Sequence, residues 1–406
     1  MYAIKRFGLF CTLLLLAGTS VAQISNLSNC SRTEASWGPE SVIEITCARL
    51  GFSTITRPFI SSLLHENIRR NEGKQQRGVV IDTVLSKRSF NIKLEDLNVA
   101  EIADGSFADA KDVKVLNLVG NAIQQLKPLA MTGLTSLKNL FLGSNDINII
   151  YPGSFVELRS LDWLDLSRNK ISEFSYTTFM GLSMLKSLNL EYNNISAIRT
   201  AGFGALLRLE NLYLEGNRIS SINGGSLAGM YSLQFLSLKR NELSRIADGT
   251  FAGNPQLTQL DLSYNQITEI KSSTFVGLTA LRILKLNGNM ISTIKDHAFT
   301  HVPQLSELDL SHNALTTLRR NMFLGLVNIH VLDISENWMH GTALSTDDTY
   351  GSPKSDLIEA IGIICRKPGL YFTNLRNNGL IPMLNNVTQQ ALGFDFADGT
   401  QHFCVF

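Results

Sequence analysis

The chain has 406 residues, of which 36 are Lys or Arg and 35 are Asp or Glu, so its net charge at pH 7 is +1. This balance excludes a protein that depends on a strongly basic surface to bind nucleic acid or an anionic membrane. One basic stretch, from Arg69 to Arg88, departs from the balance. We interpret it as a solvated loop, with an acidic-polysaccharide contact or a processing site at Lys87-Arg88 as the alternatives.

Residues 1–22 have the pattern of a secretory signal peptide. Lys5 and Arg6 precede an apolar run from Phe7 to Leu16, which is too short to span a membrane. The small residues that end at Ala22 predict cleavage after that position. No later stretch has the length and apolar content of a membrane span. We therefore expect a soluble, secreted and extracellular mature chain.

The cysteine count is consistent with an oxidising compartment. Cys11 lies in the signal peptide, which leaves Cys30, Cys47, Cys365 and Cys404 in the mature chain. An even number of cysteines in a secreted chain predicts two disulfides, and three pairings are possible. The spacing favours Cys30–Cys47 and Cys365–Cys404, because one bond then lies at each end of the chain.

Asparagine recurs ten times at an unbroken spacing of 24 residues, and the same frame surrounds each occurrence. In one copy, Leu260-Asp261-Leu262 precedes Asn265, and Ile267, Ile270, Phe275 and Leu278 follow. A fixed period of this length predicts a solenoid of stacked repeats. The ten positions are Asn121, Asn145, Asn169, Asn193, Asn217, Asn241, Asn265, Asn289, Asn313 and Asn337.

This frame resembles the extracellular, 24-residue class of leucine-rich repeat. The resemblance implies an α/β solenoid, a horseshoe with a parallel concave sheet and disulfide-bearing end caps. We place an N-terminal cap at residues 23–90, about 11 repeats at 91–344 and a C-terminal cap at 345–406. In the C-terminal cap, residues 356–365 predict a short helix.

Each repeated position has a physical role. The leucines of the Leu-x-Leu segment point inward from a short strand, and stacked turns share one core. The asparagine amide can both donate and accept, so a ladder of asparagines can bridge neighbouring turns. A second column predicts an aromatic stack on the convex side: Phe107, Phe155, Phe179, Phe203, Phe251, Phe275, Phe299 and Phe323.

The outward positions of the strands predict where a partner binds, because solenoids use their concave surfaces for recognition. Large aromatic residues depart from the usual polar filling of these positions, and charged residues lie beside them. We predict a partner site made of Phe141, Trp163, Asp165, Glu191, Tyr213, Glu215, Phe235 and Lys239. In the alternative interpretation, these scattered aromatics only shield the sheet. A homodimer formed through the same surface is a further alternative.

Four sequons predict N-glycosylation and therefore surface exposure, at Asn26, Asn29, Asn194 and Asn386. No nucleophile with a base and no phosphate-binding loop is present in the sequence, so we expect no enzyme activity and no cofactor. We also expect no metal site. His297 and His301 have ligand-like spacing but no further ligand, and Glu307, Asp309 and Asp333 match the ordinary acidic filling of the repeat.

These observations predict a secreted recognition protein that binds an extracellular protein, or a glycan, and not nucleic acid. The short layout resembles the secreted leucine-rich immune proteins of insects, which implies a role in innate immunity. Two alternatives remain: a component of the extracellular matrix or of adhesion and guidance systems, and the ectodomain of a leucine-rich-repeat receptor.

Overall fold

The computed structural model describes residues 30–37, 40–47, 53–72, 88–319, 321–339, 370, 372–378 and 403–405. Within it, the chain divides into two compact units, Met1–Asn193 and Asn194–Phe406. The predicted signal peptide, the helix predicted at residues 356–365 and most of the basic stretch lie outside the described residues.

The first unit begins with an antiparallel hairpin of β1 (Cys30–Trp37) and β2 (Glu40–Cys47). Cys30 lies opposite Cys47 in the register, and the two cysteines form a disulfide. β2 also pairs in parallel with β4 (Arg88–Lys93). The hairpin therefore covers the end of the parallel sheet that would otherwise be an open edge.

A helix, α1 (Arg57–Glu72), follows the two-residue strand β3 (Thr54–Ile55), which pairs with β5 (Glu101–Ile102). Its first turns bury Phe59 and Ile60 in the core. Arg57 donates two hydrogen bonds to the Asp109 carboxylate, from Nε at 3.0 Å and from Nη2 at 2.8 Å. These bonds and the negative charge of Asp109 raise the pKa of Arg57 and connect the helix to the repeat beside it.

The repeats of the first unit contribute one strand each to a parallel sheet, and Leu140, Leu164 and Leu188 align in register on fully buried positions. A second set of two-residue strands also pairs in parallel, separately from this sheet. The sheet strands are β6 (Val113–Asn117), β8 (Asn139–Phe141), β10 (Trp163–Asp165) and β11 (Ser187–Asn189), and the shorter pair is β7 (Gln125–Leu126) with β9 (Ile149–Ile150).

The second unit repeats this arrangement, with two-residue pairs β12–β14 and β17–β19 beside its parallel sheet. The predicted parallel-strand repeat solenoid is confirmed within each unit. The sheet strands are β13 (Asn211–Tyr213), β15 (Phe235–Ser237), β16 (Gln259–Asp261), β18 (Ile283–Lys285), β20 (Glu307–Asp309), β21 (Val331–Asp333), β22 (Phe372–Asn374) and β23 (Phe403–Val405). The shorter strands are β12 (Ala197–Ile198), β14 (Ser221–Ile222), β17 (Glu269–Ile270) and β19 (Thr293–Ile294).

The ten repeated asparagines are all buried, with 3–8% of each residue exposed. Asn265 is representative: its Oδ1 accepts the N–H of Leu243 at 3.0 Å, and its Nδ2 donates to the carbonyls of Leu238 at 2.9 Å and Leu262 at 3.0 Å. One side chain thus satisfies backbone groups of two neighbouring repeats. Without the amide, those buried groups would be unsatisfied.

The repeated phenylalanines form the opposite wall of the core. In the second unit, Phe299 stacks between Phe275 and Phe323, with ring centroids 6.0 Å and 6.1 Å apart and interplanar angles of 14° and 1°. In the first unit, Phe179 ends a 3-10 helix, Tyr176–Phe179, and is fully buried. Both units therefore bury the same aromatic position of the repeat.

A further repeat turn lies within the segment that the sequence analysis assigned to the C-terminal cap. β22 pairs in parallel with β21, and Thr373 takes the register position of Leu332. Asn378, 1% exposed, donates to the carbonyls of Ile334 at 2.8 Å and Leu375 at 2.9 Å, as the ladder asparagines do. The 24-residue spacing concealed this turn, because the register between the two strands is offset by 41 residues.

Candidate partner-binding surface

Most outward positions of the strands are half-buried, whereas the leucines between them are fully buried. This difference follows from the alternation of side chains along a strand. All eight residues of the predicted partner site lie at such positions on strands or directly after them, and all eight are half-buried. They fall into two sets, four residues in each unit.

In the first unit, Phe141 on β8 lies beside Asp165 on β10 in the register. Trp163 begins β10 and lies between Asn139 and Ser187 of the neighbouring strands. Asp165 Oδ1 accepts the N–H of Ser167 at 2.9 Å, which directs its carboxylate back toward its own turn. Glu191 follows β11 in the same column as Ser167. The first set therefore consists of two aromatic rings with acidic groups at their side.

In the second unit, Tyr213 and Phe235 form a ring pair, with centroids 5.0 Å apart and planes tilted by 39°. The rings lie on adjacent strands, diagonal to each other, because Asn211 and not Tyr213 is the register partner of Phe235. A tilted pair at this distance is a favourable aromatic geometry. The structure thus brings these two predicted residues into direct contact.

Glu215 and Lys239 lie next to that ring pair and form an ion pair, with Lys239 Nζ 3.4 Å from Glu215 Oε1. Arg240 Nη1 lies 3.6 Å from the same oxygen. The Glu215 side chain is only 16% exposed. Two cations, Lys239 and Arg240, lie beside its carboxylate. Glu215 and Lys239 were predicted from the sequence as site residues, whereas Arg240 was not.

Arg240 belongs to a row of residues that each lie directly before a ladder asparagine. Arg240 lies over the ring of Tyr264, with its guanidinium carbon 5.7 Å from the ring centroid. In the first unit, Arg168 lies over Tyr192 at 4.7 Å. The 24-residue spacing of these positions could have revealed the row, because residues one period apart are neighbours in the stack.

The modification sites are only partly within the described residues. Asn194 is exposed, as its sequon requires. Cys404 lies on β23, and its predicted partner Cys365 lies outside the described residues, as do the sequons at Asn26, Asn29 and Asn386.

Two other features bear on function. In the part of the chain that the structure describes, no three His, Cys, Asp or Glu side chains group closely enough to hold a metal ion. Among the described residues, no helix has both the length and the apolar composition needed to cross a membrane.

The sequence matches the leucine-rich-repeat family model in five overlapping segments, 91–147, 137–195, 184–243, 232–291 and 284–339. Together these segments span more than half of the chain. The chain belongs to the leucine-rich-repeat family. No curated protein matches this leucine-rich-repeat chain.

Two solved structures with TM-scores above 0.5 share the leucine-rich-repeat fold at low sequence identity. A leucine-rich-repeat protein of Leptospira interrogans is 22% identical with a TM-score of 0.53, and the match covers 72% of this chain and 79% of that one. A chain of the mouse RP105/MD-1 complex is 23% identical with a TM-score of 0.53, over 72% of this chain and 51% of that one. A chain of the TLR13–ssRNA13 complex is 22% identical with a TM-score of 0.47, over 72% and 47%. The match thus spans about half of the last two chains.

Proposed function

We propose that this leucine-rich-repeat chain is a secreted recognition protein that binds an extracellular protein through the outward face of its parallel strands. The contact between Tyr213 and Phe235 carries the proposal. These half-buried rings sit beside the ion-paired Glu215 and Lys239, so an apolar centre with a charged margin is formed before any partner arrives. Interfaces commonly have this composition, with an aromatic core and a polar rim.

Secretion and a role in innate immunity are the finer parts of the proposal. The signal-peptide pattern of residues 1–22 and the exposed sequon at Asn194 support export from the cell. The resemblance to short secreted insect immune proteins supports the pathway. The family itself supports a binding role rather than catalysis, because leucine-rich repeats generally serve as scaffolds for protein–protein interaction.

The aromatic pair is the part of the surface whose loss should matter most. Tyrosine and tryptophan are enriched among interface residues whose truncation costs about 2 kcal/mol or more, which corresponds to roughly a thirtyfold loss of affinity. Ion pairs on the exposed margin contribute less, because solvent screens them. Binding energy should therefore concentrate on the rings, and the charges should select the partner's orientation.

The test is affinity capture from extracellular fluid with three tagged variants of the full chain. Tyr213→Ala/Phe235→Ala removes the aromatic pair of the second unit, and Phe141→Ala/Trp163→Ala removes the aromatics of the first. Leu207→Ala/Tyr231→Ala is the matched control, because both side chains are more than half exposed and lie outside the strands. Each variant is first checked for secretion and for an unchanged circular dichroism spectrum.

We expect a partner that the wild type and the control capture and that the Tyr213/Phe235 variant loses. Loss with the first-unit variant as well would extend the surface to both sets. If all three variants capture the same proteins as the wild type, the outward face of the strands is not the binding surface. Capture of the chain's own untagged copy would identify the partner as a second copy.

A further inference from the structure

A groove of about 420 Å³ lies on the second unit, along the edge where the chain leaves the strands β18, β20 and β21. None of its residues belongs to the predicted partner site. The lining residues are Asn289, Met290, His312, Asn313, Ala314, Glu336 and Trp338.

The groove is built on the rigid part of each repeat. The N–H of Met290 donates to the Ile267 carbonyl at 3.0 Å, and the N–H of Trp338 donates to the Leu315 carbonyl at 2.8 Å. His312 and Glu336 have φ angles of 54° and 56°, the left-handed conformation of the residue before each ladder asparagine. Backbone bonds between repeats therefore hold these positions, so the side chains are presented from a fixed frame.

The apolar wall of the groove differs from the same position in the six repeats that precede it. The residue after the ladder asparagine is polar or charged in six successive repeats, from Asp146 to Gln266. In the next three repeats it becomes Met290, Ala314 and Trp338. Met290 is 57% exposed and Trp338 is 63% exposed, so neither side chain belongs to the core. Exposed apolar residues that lie next to one another are typical of interaction sites.

The described residues that line the groove give it a negative charge. They include the half-buried Glu336 and neither Lys nor Arg. Within the described residues, the side-chain partner of Glu336 is the neutral amide of Asn377, which donates to Oε1. Glu215 differs, because two cations surround its carboxylate. Glu336 therefore keeps a negative charge that a ligand can neutralise.

We propose that this groove receives an arginine side chain of a partner protein. The planar guanidinium stacks on the Trp338 indole, which is the strongest of the aromatic faces for a cation. It donates a charge-assisted hydrogen bond to Glu336, and the methylene stem packs on Met290. A partner's arginine contacts the apolar residues Trp338 and Met290 and also pairs with the Glu336 carboxylate. An acidic side chain would be repelled by Glu336.

The experiment observes Trp338 directly in the full chain. The three tryptophans are labelled as 5-fluorotryptophan, and Trp338→Phe assigns the Trp338 signal in the fluorine spectrum. Blocked tripeptides of the form Gly-X-Gly are titrated, where X is arginine, lysine, citrulline or glutamate. Citrulline is the critical comparison, because it keeps the shape of arginine without its charge. Glu336→Gln is compared with Glu242→Gln, which makes the same change at an exposed glutamate outside the groove.

We expect the arginine peptide to shift the Trp338 signal saturably and citrulline to bind at least fivefold more weakly. Glu336→Gln should weaken arginine binding about five- to tenfold, and Glu242→Gln should leave it unchanged. Equal shifts from citrulline and arginine, or an unmoved Trp338 signal at millimolar arginine peptide, would overturn the proposal. The predicted partner site on the strands can fail its own capture test without affecting this result, because the two surfaces share no residue.

Discussion

Two arginine–tyrosine pairs occupy equivalent positions in the two units of the chain. Arg168 and Tyr192 form the first pair at 4.7 Å, and Arg240 and Tyr264 form the second at 5.7 Å. Each residue of the second pair lies 72 residues, or three repeats, after its counterpart. A glycine follows one repeat later in both cases, at Gly216 and Gly288. The same three-residue series therefore occurs twice on the same frame.

The surroundings of the two pairs differ. Two residues after Tyr192 lies Asn194, the exposed asparagine of a sequon, whereas the equivalent position after Tyr264 is the exposed Gln266. Arg240 also lies within 3.6 Å of Glu215. A glycan at Asn194 would restrict access near the first pair and leave the second uncovered. The two pairs thus share one backbone frame, and they differ in the sequon at Asn194 and in the ion pair of Arg240 with Glu215.

The largest effect should come from the ladder asparagine, which the two regions share. Asn193→Ala and Asn265→Ala each remove four hydrogen bonds with nearly identical distances. Each buried backbone group left unsatisfied costs about 1–3 kcal/mol, so we expect each variant to lose about 3 kcal/mol of unfolding free energy. Urea denaturation measures the loss.

Asn287→Ala is the control for this pair of variants, because Asn287 is a half-buried asparagine outside the ladder. It should change the unfolding free energy by less than about 0.5 kcal/mol. A loss under 1 kcal/mol for either ladder variant would show that water can replace the amide. Unequal losses would show that the two regions differ in the hydrogen bonding of their backbones as well as in their exposed side chains.

This shared frame is the part of the molecule that the sequence predicts best. A period of 24 residues places every copy of a position in one column, so the burial of Leu260, Asn265 and Phe275 follows from counting. The disulfide between Cys30 and Cys47 was favoured by spacing alone. The strand register that places Cys30 opposite Cys47 comes from the structure.

Other features were hidden for physical reasons. The turn at Thr373 and Asn378 was missed because the insertion before it breaks the period and a threonine replaces the leucine. The contacts of Arg240 with Glu215 and Tyr264 depend on which rotamers long side chains adopt across neighbouring repeats. A periodic sequence predicts which residues occupy equivalent positions in successive repeats. It does not predict which exposed side chains at different positions contact one another.

Gly288 should sharpen the comparison, because the Tyr264 ring lies against it. A Cβ added at Gly288 would come within 2.8 Å of the ring, and the φ angle of this residue is +69°. Gly249→Ala is the matched control, since Gly249 has a φ of +72° and nothing within 4 Å of an added Cβ. The control isolates the cost of the left-handed backbone, about 1 kcal/mol.

We expect Gly288→Ala to lose about 2 kcal/mol of unfolding free energy, because displacement of the ring adds to the backbone cost. Combining it with Tyr264→Ala should restore the part due to the ring. If Gly288→Ala and Gly249→Ala lose the same free energy, the ring moves aside without cost, and the glycine serves the series through its backbone conformation alone.

A single substitution can add a sequon to the second region at the position equivalent to Asn194. Gln266→Asn creates the sequence Asn-Ile-Thr at residues 266–268, at the position equivalent to Asn194. We expect this variant to gain a glycan, detected as a mass loss on enzymatic deglycosylation. Partner capture should fall at least tenfold if the partner uses the open edge beside Tyr264, since bulk that excludes close approach removes the contact entirely.

Two companion variants separate the glycan from the substitution. Gln266→Asn/Thr268→Ala carries the same asparagine without a sequon and should capture the partner normally. Asn194→Gln removes the natural sequon and should leave capture unchanged. If the glycosylated Gln266→Asn protein captures the partner fully, the partner binds away from the edge beside Tyr264. The presence or absence of a glycan would then not distinguish the two regions in partner binding.

The smallest effect concerns the arginine–tyrosine contacts themselves. Exposed cation–π contacts contribute about 0.5–1 kcal/mol, and the shorter Arg168–Tyr192 pair should lie at the upper end of that range. Double-mutant cycles with Arg→Gln and Tyr→Leu measure each coupling energy from unfolding. We expect the coupling of Arg240 to Tyr264 to be the weaker one, because its distance is longer and its guanidinium is shared with Glu215.

Salt separates the two contributions to Arg240. An ion pair at the protein surface weakens as ionic strength rises, whereas stacking of a guanidinium on a ring depends less on screening. Raising salt to about 0.5 M should therefore reduce the effect of Arg240→Gln on stability and leave that of Arg168→Gln nearly constant. An equal salt dependence would mean that Arg240 interacts mainly with Tyr264. In that case the two regions would differ only in the sequon, and the glycan alone would determine which edge is open.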